Sequence, residues 1–580
     1  MPSQPLQPLD VTSLRAVVAE LEPVLVPSRF TKAQQSDACT VQLGLRSLEG
    51  PQWLEISWLA EAPRLLAIEP PPRLGDGSTL AQQLQHGLRG LALVAIEQQG
   101  WERVVRLRFA ERPGAPPQRE LVMELMGRHS NLFLLDGEGR VVALGHQVRQ
   151  GQSRLRPIGT GDPYQPPPPL RGDRPRSQEP QARWQERLSL LPLPLGRALA
   201  ETYQGMSPAL IRQLLGDTAA ESAAWLERPV QELGEPDWQR LWQRWWAWLA
   251  AVEQGQFHFE AGGPTAYRCW QAHPPEASQA PQGIHGRNSQ PLPLNRQLAA
   301  YYRSTLTARE LERRRQRLEQ QLHGAVLRES EQLRRQEELL AAAAGSEELQ
   351  SRADELLSRF GLERAEVEEA QKLYRRARKL RRSVGAITPR LEEHRSRLAW
   401  LEHSRTFLEQ ADSAEELAAL EEELAEGLAG RPAAGRREWR RSAAAAPEPP
   451  PQEHTTQARR AVQVGRNPTP NEWISLRQAR RGDLWFHAQE CPGSHVVLKA
   501  SRSVAGEADL QAAADLAAHF SRARGNSRVP VVMVPAEELQ RIPGSAPGIV
   551  RHRGGVVLWG EPERAGALLE RPSLGREPAR

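Results

Sequence analysis

With 580 residues, 39% of them hydrophobic and 25% charged, the chain has room for several domains that each bury a core of their own. Three scattered cysteines, Cys39, Cys269 and Cys491, exclude a disulfide framework and fit a reducing compartment. No apolar run reaches the length of a membrane span, and the start MPSQPLQPLD lacks the charged and apolar regions of a signal peptide, so the expectation is a cytoplasmic protein without membrane contact.

The first 165 or so residues read as mixed helix and strand. An amphipathic helix over 14–21 precedes the alternating segments VQLGLRSL and WLEISWL. A second helix over 80–88 leads to RVVRLRF, and LVMELMG and NLFLLD form a hairpin with GRHS at its tip. Ser130, His129 and Asp136 supply the residue types of a nucleophilic triad. Neighbours on a hairpin tip point to different faces, however, and no G-x-S-x-G elbow is present, so a triad is set aside. Arg128, His129 and Asn131 on an exposed turn suit hydrogen bonding to a backbone or a partner better. The segment closes at Pro163-Tyr164-Gln165 and four prolines, a stiff linker of polyproline type.

Residues 184–254 have a helical pattern in which Trp238, Trp242 and Trp245 recur at spacings of four and three, a stripe read as core. Residues 273–294, rich in Pro, Gln and Gly, read as a loop. Leu311, Leu318, Leu322, Val326, Leu333 and Leu340 then mark a coiled-coil seam with one local offset. Ile387, Leu391 and Leu398 start a returning arm, and Ser413 with Glu416 forms a capping box before the Leu417, Leu420, Leu424 stripe. A long antiparallel helical hairpin follows. Between its arms, AQKLYRRARKLRRS holds seven Lys/Arg in fourteen residues, which suits either a solvated face or a tip resting on a polyanion. Residues 430–453 read as a tether.

The run DLWFHAQECPGSHVVLK has the period of a half-buried strand, then a Pro492-Gly493 turn and a second apolar strand. On this reading one face packs and the other presents Trp485 and His487 beside Lys499, a combination suited to unpaired RNA. Residues 456–560 hold 14 Lys/Arg against 8 Asp/Glu, which fits a polyanion partner or a solvated basic surface. His487, Cys491 and His495 lie four apart, but Pro492-Gly493 forbids the helix a metal site at that spacing needs. No Walker loop occurs, and neither a metal nor a cofactor is expected.

From residue 464 the frame VGRNPTPNEWISLRQARRGDLWFHAQECPGSHVVLK, then the helix at 507–523, the strand at 529–534 and the ending APGIVRHRGGVVLWGEP, resembles the RNA-binding domain of the NFACT family. The likeness extends over 10–562 in the family's domain order. It implies an α+β multidomain fold: a mixed α/β amino-terminal domain (1–170), a helical domain like a helix-hairpin-helix (180–295), an antiparallel coiled-coil stalk (296–429), a linker (430–455), an α/β RNA-binding domain (456–562) and a tail (563–580). TYQGMSP, 202–208, resembles the helix-hairpin-helix turn, with Ser207 where a second glycine is common.

The resemblance assigns transfer-RNA recruitment and tail synthesis to Asp10, Glu102 and Arg103, Glu102 standing where the family usually has Asp. Taken alone, Asp10 reads as a helix N-cap and Glu102 with Arg103 as a surface charge pair. It places RNA contact on Arg466, Asn467, Asp483, Trp485, His487, Gly493, Ser494, His495 and Lys499. The partners it implies are a large ribosomal subunit still holding peptidyl-tRNA, alanine-charged tRNA, ribosomal RNA and, as a further candidate, a small RNA-binding helper protein. Peptide-bond formation would belong to the ribosome, leaving the protein a positioning factor rather than an enzyme. Two other readings stand beside this one: a surface adhesin that binds fibronectin, and a DNA glycosylase using Pro2 as nucleophile.

Overall fold

The computed structural model describes residues 6–74, 78–151, 156–271, 292–358, 360, 363–428, 451–542 and 547–569. Most of the loop expected at 273–294, of the tether expected at 430–453 and of the tail expected at 563–580, together with Pro2, lie outside the described residues. The chain divides into two compact units, 1–308 and 309–580.

In the first unit α1 (Val11–Leu25) is followed by β1 (Ser28–Asp37), β2 (Thr40–Ser47), β3 (Gly50–Ser57), β4 (Arg64–Ile68), α2 (Thr79–Gly87), β5 (Ala92–Gln98), β6 (Val104–Ala110), β7 (Arg119–Glu124), β8 (Asn131–Leu135) and β9 (Val141–Leu144). The strands form one antiparallel sheet of order β4-β3-β2-β1-β5-β6-β7-β8-β9. Leu14, Val17 and Leu21, one stripe of α1, pack with Val41, Leu43, Leu54 and Ile56 of the sheet in the main core. A smaller cluster gathers Val104, Val122, Phe133, Leu135 and Ile158. The segments read as strands are strands. β1, not foreseen, carries Lys and Gln at several positions, and its register shifts between Phe30 and Lys32 and between Gln35 and Asp37. Such bulges break the period-two signal on which sequence reading depends.

Helices α3 (Gln181–Leu188), α4 (Leu195–Thr202), α5 (Pro208–Leu215), α6 (Ala219–Leu226) and α7 (Glu235–Gln254) build a second cluster in this unit. The tryptophan stripe of α7 is core: Trp184 meets Trp238 edge-on at 5.8 Å, and Trp245 lies 5.7 Å from Trp184 and 4.8 Å from Tyr203. The helices dock on α1, where Trp248 Nε1 donates to Thr12 Oγ1 at 2.9 Å and Trp101 lies 5.6 Å from Trp248. The proline segment is strapped down rather than standing free, since the Tyr164 hydroxyl donates to Glu124 and the Leu170 N–H to Glu102 Oε1. A short hairpin, β10 (Glu260–Ala261) with β11 (Tyr267–Arg268), precedes α8 (Pro293–Ala344). The Glu20 carboxylate accepts from the N–H groups of Leu294 and Asn295 at the start of α8, a cap supplied by a remote side chain.

In the second unit α8 continues, followed by α9 (Ser346–Leu357), α10 (Arg364–Gln410) and α11 (Ala414–Leu428). Arg315 of α8 donates to Ala411 O at the end of α10, and fourteen residues on Glu329 meets His394 at 2.6 Å, so α8 and α10 run antiparallel as the leucine seam required. Leu318 and Leu322 pack with Trp400, Leu401, Phe407 and Leu408 and with Leu417, Leu420 and Leu424, which makes a three-helix base. The run 370–383 corrects the sequence reading. It lies within the returning arm α10 rather than between the arms, with Tyr374 donating to Asp354 and Arg381 to Gln350 of α9. Its lysines and arginines continue one helix because they are good helix formers and nothing breaks the run.

The carboxy-terminal domain comprises β12 (Gln452–Thr455), β13 (Ala461–Val464), α12 (Pro468–Glu472), β14 (Leu484–Ala488), β15 (Val496–Leu498), α13 (Glu507–His519), β16 (Val529–Pro535), the pair β17 (Gln540–Arg541) and β18 (Val550–Arg551), β19 (Val556–Gly560) and α14 (Gly566–Leu569). Its main antiparallel sheet has the order β12-β13-β15-β14-β16-β19. Ala513, Ala514, Leu516 and Ala517 of α13 cover Val462, Phe486, Val496, Leu498 and Val531 on one face.

Candidate nucleic-acid interface

A groove of about 500 Å³ in the first unit brings together the residues singled out far apart in sequence: Asp10, Glu102 and Arg103, with Trp101 and the 203–208 turn. Asp10 is almost fully buried and caps α1, its Oδ1 accepting from Ser13 N at 2.8 Å and Ser13 Oγ at 2.7 Å. Its Oδ2 accepts from Ser207 Oγ at 2.7 Å, and Ser207 in turn caps α5 by accepting from Leu210 N at 2.9 Å. One carboxylate thus fixes both helix starts. Gly205 holds φ +80, and a Cβ there would stand 3.2 Å from Trp101, so the turn needs glycine.

Glu102 Oε1 accepts from Leu170 N at 3.0 Å. The Arg103 guanidinium is half-buried and makes no hydrogen bond or ion pair among the described residues. Burial lowers its pKa from the ordinary arginine value, while the charges of Asp10 and Glu102 act in the opposite direction. A planar cation that feels two carboxylate charges but is bonded to neither is a ready donor to a phosphate. Sequence reasoning missed Ser207 as a partner of Asp10. The Ser-Pro signature of a helix start marked it as a cap, but nothing local pointed to a contact 197 residues away.

In the carboxy-terminal domain the expected RNA contacts are mostly interior. Trp485 is 2% exposed and belongs to a second apolar cluster with Ile474, Val497, Val532, Val534 and Leu539. The expectation that this face presents Trp485 is therefore corrected. The face is covered by a π-helical turn, Trp473–Gln478, which continues from α12 and whose i→i+5 pattern matches neither the ordinary helical nor the strand period. His487 stacks on Trp485 at 5.6 Å, and His495 meets Trp485 edge-on at 5.0 Å. Burial pushes His487 down to about 3, with His403 of α10 contributing, and burial also takes His495 well below the usual imidazole range.

Asp483 is fully buried, accepting from Arg480 N, Ala500 N, Ser501 N and Lys499 Nζ at 2.9–3.3 Å. Burial raises its pKa, yet the backbone N–H groups and the Lys499 ammonium leave it below the carboxylate norm. Asp483 and Lys499 form a clasp. Asn467 is buried at the N-cap position of α12 with no side-chain hydrogen bond to that helix, Ser494 N–H donates to Phe520 O at 2.8 Å, and a Cβ on Gly493 would stand 3.0 Å from Ser521, so Gly493 and Ser494 lie where backbone segments meet inside the domain. Arg466 lies 4.3 Å over the Phe520 ring and donates to Glu416 Oε1 and Gln410 O.

The hairpin tip at 127–131 divides. Arg128 and His129 are exposed, whereas Asn131 is buried and bonds the backbone N–H and C=O of His146, which corrects its placement on an exposed turn. The hydroxyl of Ser130 is taken up by Met126 N and the Asp136 carboxylate by Glu138 N and Arg140 N.

The family profile described as NFACT N-terminal and middle domains matches residues 10–363 and 362–441, and that of the NFACT protein RNA binding domain matches 453–554. "Rqc2 homolog RqcH" of Streptococcus pneumoniae serotype 2 (strain D39 / NCTC 7466) is 26% identical over 584 residues, 95% of this chain and 97% of that protein. "Rqc2 homolog RqcH" of Bacillus subtilis (strain 168) is 23% identical, over 81% of this chain and 83% of that protein. Among solved structures, the C-terminal of the fibronectin/fibrinogen-binding protein from Streptococcus suis is 27% identical, over 44% of this chain and 98% of that one, with a TM-score of 0.37. With family profiles matching 10–441 and 453–554, the chain belongs to the NFACT family and carries that family's RNA-binding domain.

Proposed function

We propose that this protein acts in ribosome-associated quality control. It binds large ribosomal subunits obstructed by peptidyl-tRNA, recruits alanyl-tRNA and directs untemplated alanine tailing of the stalled chain. Peptidyl transfer is left to the ribosome, and the protein positions the transfer RNA, in the cytoplasm. The RqcH relatives that match nearly end to end support the process. The observation that carries the site is the convergence of Asp10, Glu102 and an unpaired Arg103 in one groove. A subunit and a transfer RNA are both polyanions, so several weak phosphate contacts on one chain raise each other's effective concentration. On this reading Arg103 donates to the transfer-RNA backbone, while Asp10 and Glu102, bonded to Ser207 and to Leu170 N, fix the walls of the groove around it.

The test is a reconstituted tailing reaction with obstructed subunits and the double variant Glu102→Ala with Arg103→Ala. Subunit binding stays within about twofold of the parent while alanine addition is abolished. Undiminished tails would remove the groove from the mechanism.

A further inference from the structure

The burial of Trp485 leaves the carboxy-terminal domain without the aromatic platform its sequence advertised, but another face offers one. β19 is an edge strand of the main sheet, paired among the described residues only with β16, Pro530 opposite Trp559 and Val532 opposite Val557. Leu558 turns inward to the α13 core, so Val557 and Trp559 point to the opposite face. Trp559 is 58% exposed and Val557 46% exposed. Gln511 Nε2 donates to Trp559 O at 2.8 Å and fixes the strand beneath the ring.

The charges around this face have one sign to spare. Arg551 and Arg553, on the segment entering β19, are exposed and form no ion pair among the described residues. His552 between them lies against Trp485 at 5.9 Å. At the other end Arg528, next to the β16 residue that pairs with Gly560, bonds Glu561, which Arg564 also neutralises. An exposed indole at one end of β19 and two free guanidinium groups on the segment entering its other end match a short single strand, a base stacking at one point and phosphates lying further along the chain.

We propose that the open face of β19 is a single-stranded RNA site, with Trp559 as stacking platform and Arg551 and Arg553 as phosphate contacts. The inference rests on the reading of this domain as RNA-binding. It adds a strand beyond residue 554, where the family profile ends. A protein strand pairing with the β19 edge would use backbone groups and would leave the two arginines without a role.

The experiment measures binding of the full chain to a fluorescent single-stranded uridine dodecamer by anisotropy across a salt titration. Trp559→Ala weakens binding at least about fivefold with the salt slope unchanged, and Trp559→Phe restores most of it. Arg551→Gln with Arg553→Gln lowers the slope of log K against log salt by about 1.4. If the parent chain binds and Trp559→Ala binds equally well, the platform is refuted while the RNA-binding reading stands. If the parent does not bind the dodecamer at all, that reading and the platform fall together. Loss of ribosome association in Trp559→Ala with undiminished dodecamer affinity assigns the face to a protein and overturns the proposal.

Discussion

Ser207 shows how a single hydroxyl joins two parts of the first unit. It caps α5 and donates to the Asp10 carboxylate that caps α1. Ser207→Ala removes both bonds and is expected to destabilise the protein by about 1–2 kcal/mol, read as a lowered urea midpoint. A second residue-scale expectation concerns the imidazoles between the helical base and the RNA-binding domain. His403 stacks over His487 at 6.3 Å, and burial holds them down to about 4 and about 3. Unfolded, both titrate near 6.5. Below that pH the unfolded chain binds more protons at these two groups than the folded one, so their contribution to stability falls as pH drops from about 6.5 toward 4 and is flat above 7, while Glu423, raised to about 7 by burial, contributes in the opposite direction. Urea midpoints at pH 7.5 and 5.5 measure the loss, on the order of 1 kcal/mol per histidine. The pair His403→Gln with His487→Gln removes that contribution, so the difference between parent and variant separates it from the opposing one of Glu423.

Elements with a strong period were readable from the sequence, and those without one were not. The α11 stripe of Leu417, Leu420 and Leu424 follows from its spacing, and all three side chains are buried as expected. Leu420→Ala opens a cavity in the three-helix base and costs about 2–4 kcal/mol, measured by thermal unfolding of the second unit's transition. β14 was recognised by alternation, which tells which side chains share a face but not whether another segment lies on it. The π-helix at 473–478 that buries Trp485 is short and has neither the 3.6 nor the 2.0 period, so the coverage was invisible. The groove was partly readable. Its charged residues came from a family likeness, whereas their convergence depends on how the 203–208 turn meets α1, a contact between segments some two hundred residues apart.

For the molecule as a whole, the formal charge of +5 conceals a local surplus on the RNA-binding domain. Recognition of large subunits through phosphate contacts predicts that affinity drops at least about tenfold between 50 and 200 mM salt. Gradient co-sedimentation of the full chain with purified subunits measures it, and a flat response contradicts the electrostatic account. Asp10 has a consequence at this scale too. Because one buried carboxylate anchors the starts of both α1 and α5, neither helix can slide along its axis without stranding that charge. The walls of the groove are in this sense a rigid gauge, and a guest must adapt to its width instead of prising it apart.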